Sequence, residues 1–104
     1  MNQESFVITR EKTQDGTRFT VKGRVDSINA DVLELRLEEA RNAGEVNIVL
    51  NMFQVEYLCS SGIRVILRAY KKATEAGGKV GIEQPSESVK KVLILTSLDG
   101  LLIL

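Results

Sequence analysis

The hydrophobic period of this chain changes after a short opening, and that change limits the folds open to it. "FVITR" (6–10) and "TRFTVKG" (17–23) alternate apolar and polar residues like half-buried strands, with Asp15-Gly16 between them as a turn signal. An N-terminal β-hairpin is expected there. Beyond it, Ala30, Leu33, Leu37 and Ala40 recur at helical spacing, with Glu34, Glu38 and Arg41 expected on the opposite face and Gly44 at the end. "VNIVLNM" (46–52) reads as a buried strand. Ile63, Ile66, Tyr70 and Ala73 form a second helical stripe closed by Gly77 and Gly78, and "KVGIE" (79–83) is a further strand. Pro85 and Ser86 open a third helix with Val89, Val92, Leu93 and Thr96 inward. Gly100 is expected to stop it, and "LLIL" to close the chain as a last strand. The order β-β-α-β-α-β-α-β requires crossovers, and so an α/β fold with a mixed, mostly parallel sheet.

Composition removes several function classes. The 104 residues suit a single domain, 1–104, and show no repeat or linker. Fourteen basic and fourteen acidic residues cancel, so no net field favours nucleic acid or an anionic membrane. The apolar runs are too short for membrane insertion. The single cysteine excludes an internal disulfide framework and, with no signal-peptide pattern, points to a cytoplasmic protein. No histidine is present, which excludes imidazole-activated serine or cysteine chemistry and histidine-based metal sites.

The stretch that invites chemistry is "YLCSSGIRVIL" (57–67), at the step from a buried strand to a helix. Open α/β sheets place their ligand and partner sites at this edge. Ser60, Ser61 and Gly62 fall where free backbone N–H groups and the helix dipole favour negative charge. The plain alternative is that Ser60 or Ser61 only caps the helix, and one of the two is expected to do so. Asp26, Ser27 and Asn29 are cap candidates for the first helix. No Walker A string occurs, and Cys59 and Arg64 are one residue too close for a cysteine phosphatase loop. Cys59 has no base or resolving cysteine nearby in sequence, and reads as a small, partly buried residue. Arg64, Arg68 and Lys71, with Lys72 beside them, form a basic helix face, either plainly solvated or turned to an acidic partner.

"KGRVDSINA" (22–30) followed by "VNIVLNMFQVEYLCSSGIRVILRAYKKATEAGGKVGI" (46–82) resembles the STAS domain, the family named after sulfate transporters and anti-sigma factor antagonists. The resemblance covers nearly the whole chain in order and spacing. It implies the STAS fold and, for the antagonist type, phosphorylation of Ser60 by a serine-kinase-type anti-sigma factor that is also the binding partner. It further implies a partner surface made of Asp26, Ser27 and Asn29 with Cys59, Ser60, Ser61 and Gly62, flanked by Arg64 and Arg68. Two positions depart from the family pattern: Cys59 and Asn51 stand where aspartates are usual.

The expected function is therefore that of a phosphorylation-switched binding module, with no cofactor and no catalysis of its own. Two alternatives stay open, a STAS accessory or scaffold subunit indifferent to phosphorylation and a small cysteine-dependent enzyme. "LLIL" is expected to be covered by the chain's own helix layer or by a second copy in a homodimer.

Overall fold

The computed structural model describes residues 6–103. Among them the chain runs β1 (Val7–Lys12), β2 (Thr17–Val25), α1 (Ser27–Asn42), β3 (Asn47–Leu58), α2 (Ser60–Glu75), β4 (Lys79–Glu83) and α3 (Glu87–Leu95). A 3-10 turn, Asp99–Leu101, follows. The sheet has the order β1-β2-β3-β4, with β1 antiparallel to β2 and the other pairs parallel. Both parallel crossovers step in the same direction. Right-handed connections therefore set α1 and α2 on one face, where they pack on each other. The buried residues of β2 (Thr17, Phe19, Val21, Gly23 and Val25) line that face, while Lys22 and Arg24 stay exposed on the other. Phe19, Leu33, Leu50, Ile66 and Ile82 are fully buried at the centre.

The expected hairpin, three helices and first four strands are present in the expected chain order, and the differences have local causes. β3 continues six residues beyond the expected Met52, to Leu58. Register shifts against β2 between Thr20 and Lys22 and between Gly23 and Arg24 break its alternation, leaving Phe53 and Gln54 exposed between buried Met52 and Val55. Glu34, Glu38 and Arg41 do not face open water; they are half-buried and line the seam between α1 and α2. The inward stripe of α2 is Gly62, Val65, Ile66 and Ala73; Ile63 is partly buried and Tyr70 is exposed. In α3, Val89 and Leu93 point inward while Val92 is half-buried and Thr96 exposed.

Gly44 and Gly77 end their helices as expected, in left-handed conformations that let Glu45 N–H reach Ala40 O at 3.0 Å and Gly78 N–H reach Ala73 O at 2.7 Å. The third helix ends before Gly100. Ser97 takes the left-handed position instead, and Leu98 N–H reaches Leu93 O at 2.7 Å.

"LLIL" does not form a regular strand. Leu101 closes the 3-10 turn, Leu102 makes a single parallel bridge to Ile82, and Ile103 N–H donates to Ile82 O at 2.8 Å; Leu104 lies outside the described residues. Leu101 is buried, but Ile103 keeps 47% of its surface exposed.

Glu45, just after α1, ties the hairpin to the helix layer. Its carboxylate accepts from Arg10 Nη2 at 2.8 Å and Thr17 Oγ1 at 2.8 Å, and Lys12 Nζ lies 3.1 Å away. The hydrogen bond from Arg10, followed by that from Thr17, holds its pKa down at about 2 against an ordinary 4.5. A carboxyl with a depressed folded-state pKa stabilises fully above its unfolded value and loses that contribution as pH falls through the folded one. Glu45→Gln is therefore expected to cost about 1 kcal/mol near neutral pH. Melting curves of both proteins across pH are expected to converge between about 4.5 and about 2. An offset that persists unchanged to the acid end would contradict this assignment.

Candidate functional site

The ends of β2 and β3 lie side by side, so the turns that follow them do too. Val25 pairs with Leu58, and Cys59 N–H donates to Val25 O at 3.0 Å, joining the β2–α1 turn to the β3–α2 turn through the backbone. Gly62 is packed into this junction: a Cβ there would lie 2.7 Å from Leu58 Cδ1 and 2.8 Å from Val25 Cγ1. The lack of a side chain at Gly62 is what lets the first turn of α2 sit this close to β2.

In the β2–α1 turn, Asp26 is the helix cap. Its Oδ1 accepts from Asn29 N–H at 2.9 Å, and Asn29 Nδ2 donates back to Arg24 O at 2.8 Å. Ser27 is the first residue of α1 and is exposed. At the other turn the cap is Cys59, not a serine, and it makes no side-chain capping bond. Ser60 and Ser61 are instead the first two helical residues. Ser60 is exposed, Ser61 and Cys59 are half-buried, and the first turn of α2 holds no acidic residue. The Ser60 hydroxyl thus stands in water at the positive end of a sixteen-residue helix.

Asp26, Ser27, Asn29, Cys59, Ser60, Ser61 and Gly62 come together at this edge. Arg64 is exposed one turn further along α2 and makes no ion pair among the described residues. Arg68 is already engaged: its Nη1 donates to Glu34 Oε2 of α1, so the basic face of α2 is partly neutralised within the molecule.

Asn51 does not belong to this edge. It lies in β3 opposite Glu83, seven residues before the end of the strand, or roughly 20 Å away at strand rise. Its Nδ2 donates to Glu83 Oε2 at 2.9 Å, on the carboxylate that also accepts from Arg18 Nε at 2.9 Å. Of the two positions that depart from the expected pattern, only Cys59 lies beside Ser60.

Sequence reading missed Arg24 and Tyr57 at the rim, where the guanidinium stacks 4.5 Å above the ring centroid. Their pairing across β2 and β3 was hidden because the expected strand stopped at Met52. Among the described residues, no group of three or more Cys, Asp or Glu is placed to hold a metal ion. None of their helices is long and apolar enough to cross a membrane.

The sequence pattern of the STAS domain matches residues 8–103. This chain belongs to the STAS domain family. A Bordetella bronchiseptica STAS relative named as an anti-sigma factor antagonist, BtrV, is 28% identical over 85 residues, covering 82% of this chain and 73% of its own length. The crystal structure of a Thermotoga maritima protein described as an anti-sigma factor antagonist superposes with a TM-score of 0.84 at 25% identity, over 91% of this STAS domain and 82% of that chain. The Bacillus cell fate determinant SpoIIAA in its phosphorylated form shares the fold, with a TM-score of 0.75 at 18% identity over 95% and 89% of the two chains.

Proposed function

We propose that this STAS domain is an anti-sigma factor antagonist. With Ser60 unmodified it binds a serine-kinase-type anti-sigma factor and frees the sigma factor that this partner holds. Phosphorylation of Ser60 by the same partner ends the complex. The observation that carries the reading is the exposed Ser60 hydroxyl at the start of α2, in a first turn without acidic residues and joined to the β2–α1 turn. The names of the relatives support the class of partner, and the phosphorylated form of SpoIIAA supports the type of switch.

The physics needs no refolding. A phosphate adds about −1.5 to −2 charges at neutral pH to a helix end that favours anions. A partner surface shaped for a neutral hydroxyl then meets a hydrated anion, which is costly to bury. Ser60→Asp is therefore expected to leave the melting temperature unchanged or slightly raised, since a carboxylate there gains roughly 0.3–1 kcal/mol from the helix dipole. The same variant is expected to weaken binding of the anti-sigma factor by at least ~10-fold, which requires only about 1.4 kcal/mol. Ser60→Ala is expected to bind normally and to resist the kinase. Titration of these variants and of enzymatically phosphorylated protein, beside their melting curves, is the test. Equal binding by the phosphorylated and unmodified proteins would sink the switch and favour a scaffold role.

A further inference from the structure

α1 carries apolar residues on two opposite faces. The inner face is Ala30, Leu33, Leu37 and Ala40, all buried. On the far side Ile28, Val32 and Leu35, at steps of four and three, are 74%, 37% and 52% exposed. α2 does not cover them, because it packs along the flank that bears Glu34. A helix needs only its inner stripe to fold against a sheet, and a second apolar stripe left in water marks a contact surface. Its polar border is nearly spent, since Arg36 pairs with Glu39 at 3.2 Å, leaving Asp31 as an exposed anion beside Val32.

The stripe begins inside the site already described. Ile28 lies between Ser27 and Asn29, in the turn that the Cys59–Val25 backbone bond fastens to Ser60. From Ile28 to Leu35 it runs only about 10 Å along the helix. A stable protein interface covers about 800 Å² and roughly 20–30 residues on each partner, whereas the two turns bring together Asp26, Ser27, Asn29 and Cys59 to Gly62. A partner centred on Ser60 therefore reaches the stripe. A second copy seated on it would crowd Ser27 and Asn29 and compete with that partner.

We infer that the outer face of α1, Ile28, Val32 and Leu35, is the second half of the anti-sigma factor's docking surface, and that it receives an apolar patch flanked by a basic side chain opposite Asp31. The inference rests on the antagonist reading. It assigns two jobs to two places: the stripe supplies affinity that does not depend on phosphorylation, and Ser60 supplies the switch.

The test titrates each purified serine-kinase anti-sigma factor of the source organism against wild type, Ser60→Asp and the double variant Ile28→Ser/Leu35→Ser. Light scattering and melting curves accompany every sample. The double variant is expected to melt like wild type, because both side chains are exposed, and to bind the cognate factor at least ~10-fold more weakly. At partner concentrations high enough to drive the weakened complex, phosphorylated wild type is expected to keep a weak residual affinity that the phosphorylated double variant lacks. Wild-type binding by the double variant, alongside weakened binding by Ser60→Asp, overturns the stripe and spares the antagonist reading. Failure of every factor to bind wild type overturns both. A wild-type dimer that the double variant converts to a monomer assigns the stripe to self-association instead.

Discussion

Gly78→Ala is expected to lower stability by about 3 kcal/mol, at the upper end of ordinary overpacking costs. A Cβ on Gly78 would lie 2.1 Å from Val46 O and 2.6 Å from Val46 C. These are backbone atoms, so no rotamer change relieves the clash. The same carbonyl accepts from Lys79 N–H at 2.9 Å, immediately before β3 and β4 begin to pair at Asn47 and Lys79. Moving Val46 away from the new methyl group therefore strains the start of that ladder. For a domain of this size the loss corresponds to a fall in melting temperature of roughly 12–24 °C. Gly100→Ala is the control, since a Cβ there meets nothing within 4 Å. A Gly78→Ala protein that melts within a few degrees of wild type would contradict the close approach of Gly78 to Val46.

Phe19→Ala is expected to be more damaging, at about 3–5 kcal/mol. Phe19 is 0% exposed, lies on the helix-covered face of β2, and pairs with Arg10 of β1 on one side and Leu50 of β3 on the other. Truncating it opens a cavity under α1 and α2. Total stabilities of small domains are about 5–15 kcal/mol, so the variant is left near the unfolding threshold. Urea titration followed by circular dichroism is expected to show a midpoint shifted strongly downward, and a near-wild-type midpoint would contradict the position of Phe19 at the core. Partner binding is expected to fall too, but in proportion to the unfolded fraction. Ser60→Asp should weaken binding while the protein stays folded, so the pair of variants separates loss of the scaffold from loss of the switch.

The architecture was legible because its signals are local and repeated. Alternation around Asp15-Gly16 gave the hairpin, and the stripe from Ala30 to Ala40 gave the buried face of α1. Ser86 was identifiable as a cap, and its Oγ accepts from Val89 N–H at 3.2 Å. What escaped depended on neighbours distant in the chain. The second half of β3 was unreadable because its irregular register against β2 erases period-two alternation. The margin of α2 was misjudged at Tyr70 because the position of α1, not the helix's own pattern, decides which flank is covered. "LLIL" looked like a strand on composition, yet only Leu102 bridges to Ile82. At the candidate site, both turns could be placed, but not the backbone bond that joins them. One of Ser60 and Ser61 was expected as the cap, but α2 starts at Ser60 and Cys59 holds the cap position.

The bond from Asn51 to Glu83 bears on how sequences of this family can change. Glu83 already shares Arg18 with Glu11, whose carboxylate is 3.2 Å from the guanidinium, so one positive charge faces two carboxylates. An aspartate at position 51 would put a second carboxylate against Glu83, and like charges at hydrogen-bond distance repel. Asn51→Asp alone is therefore expected to set one carboxylate against another, a conflict that a neutral residue at 83 removes. The residue at 51 is matched to its neighbour across the strand, and it lies too far from Ser60 to touch it.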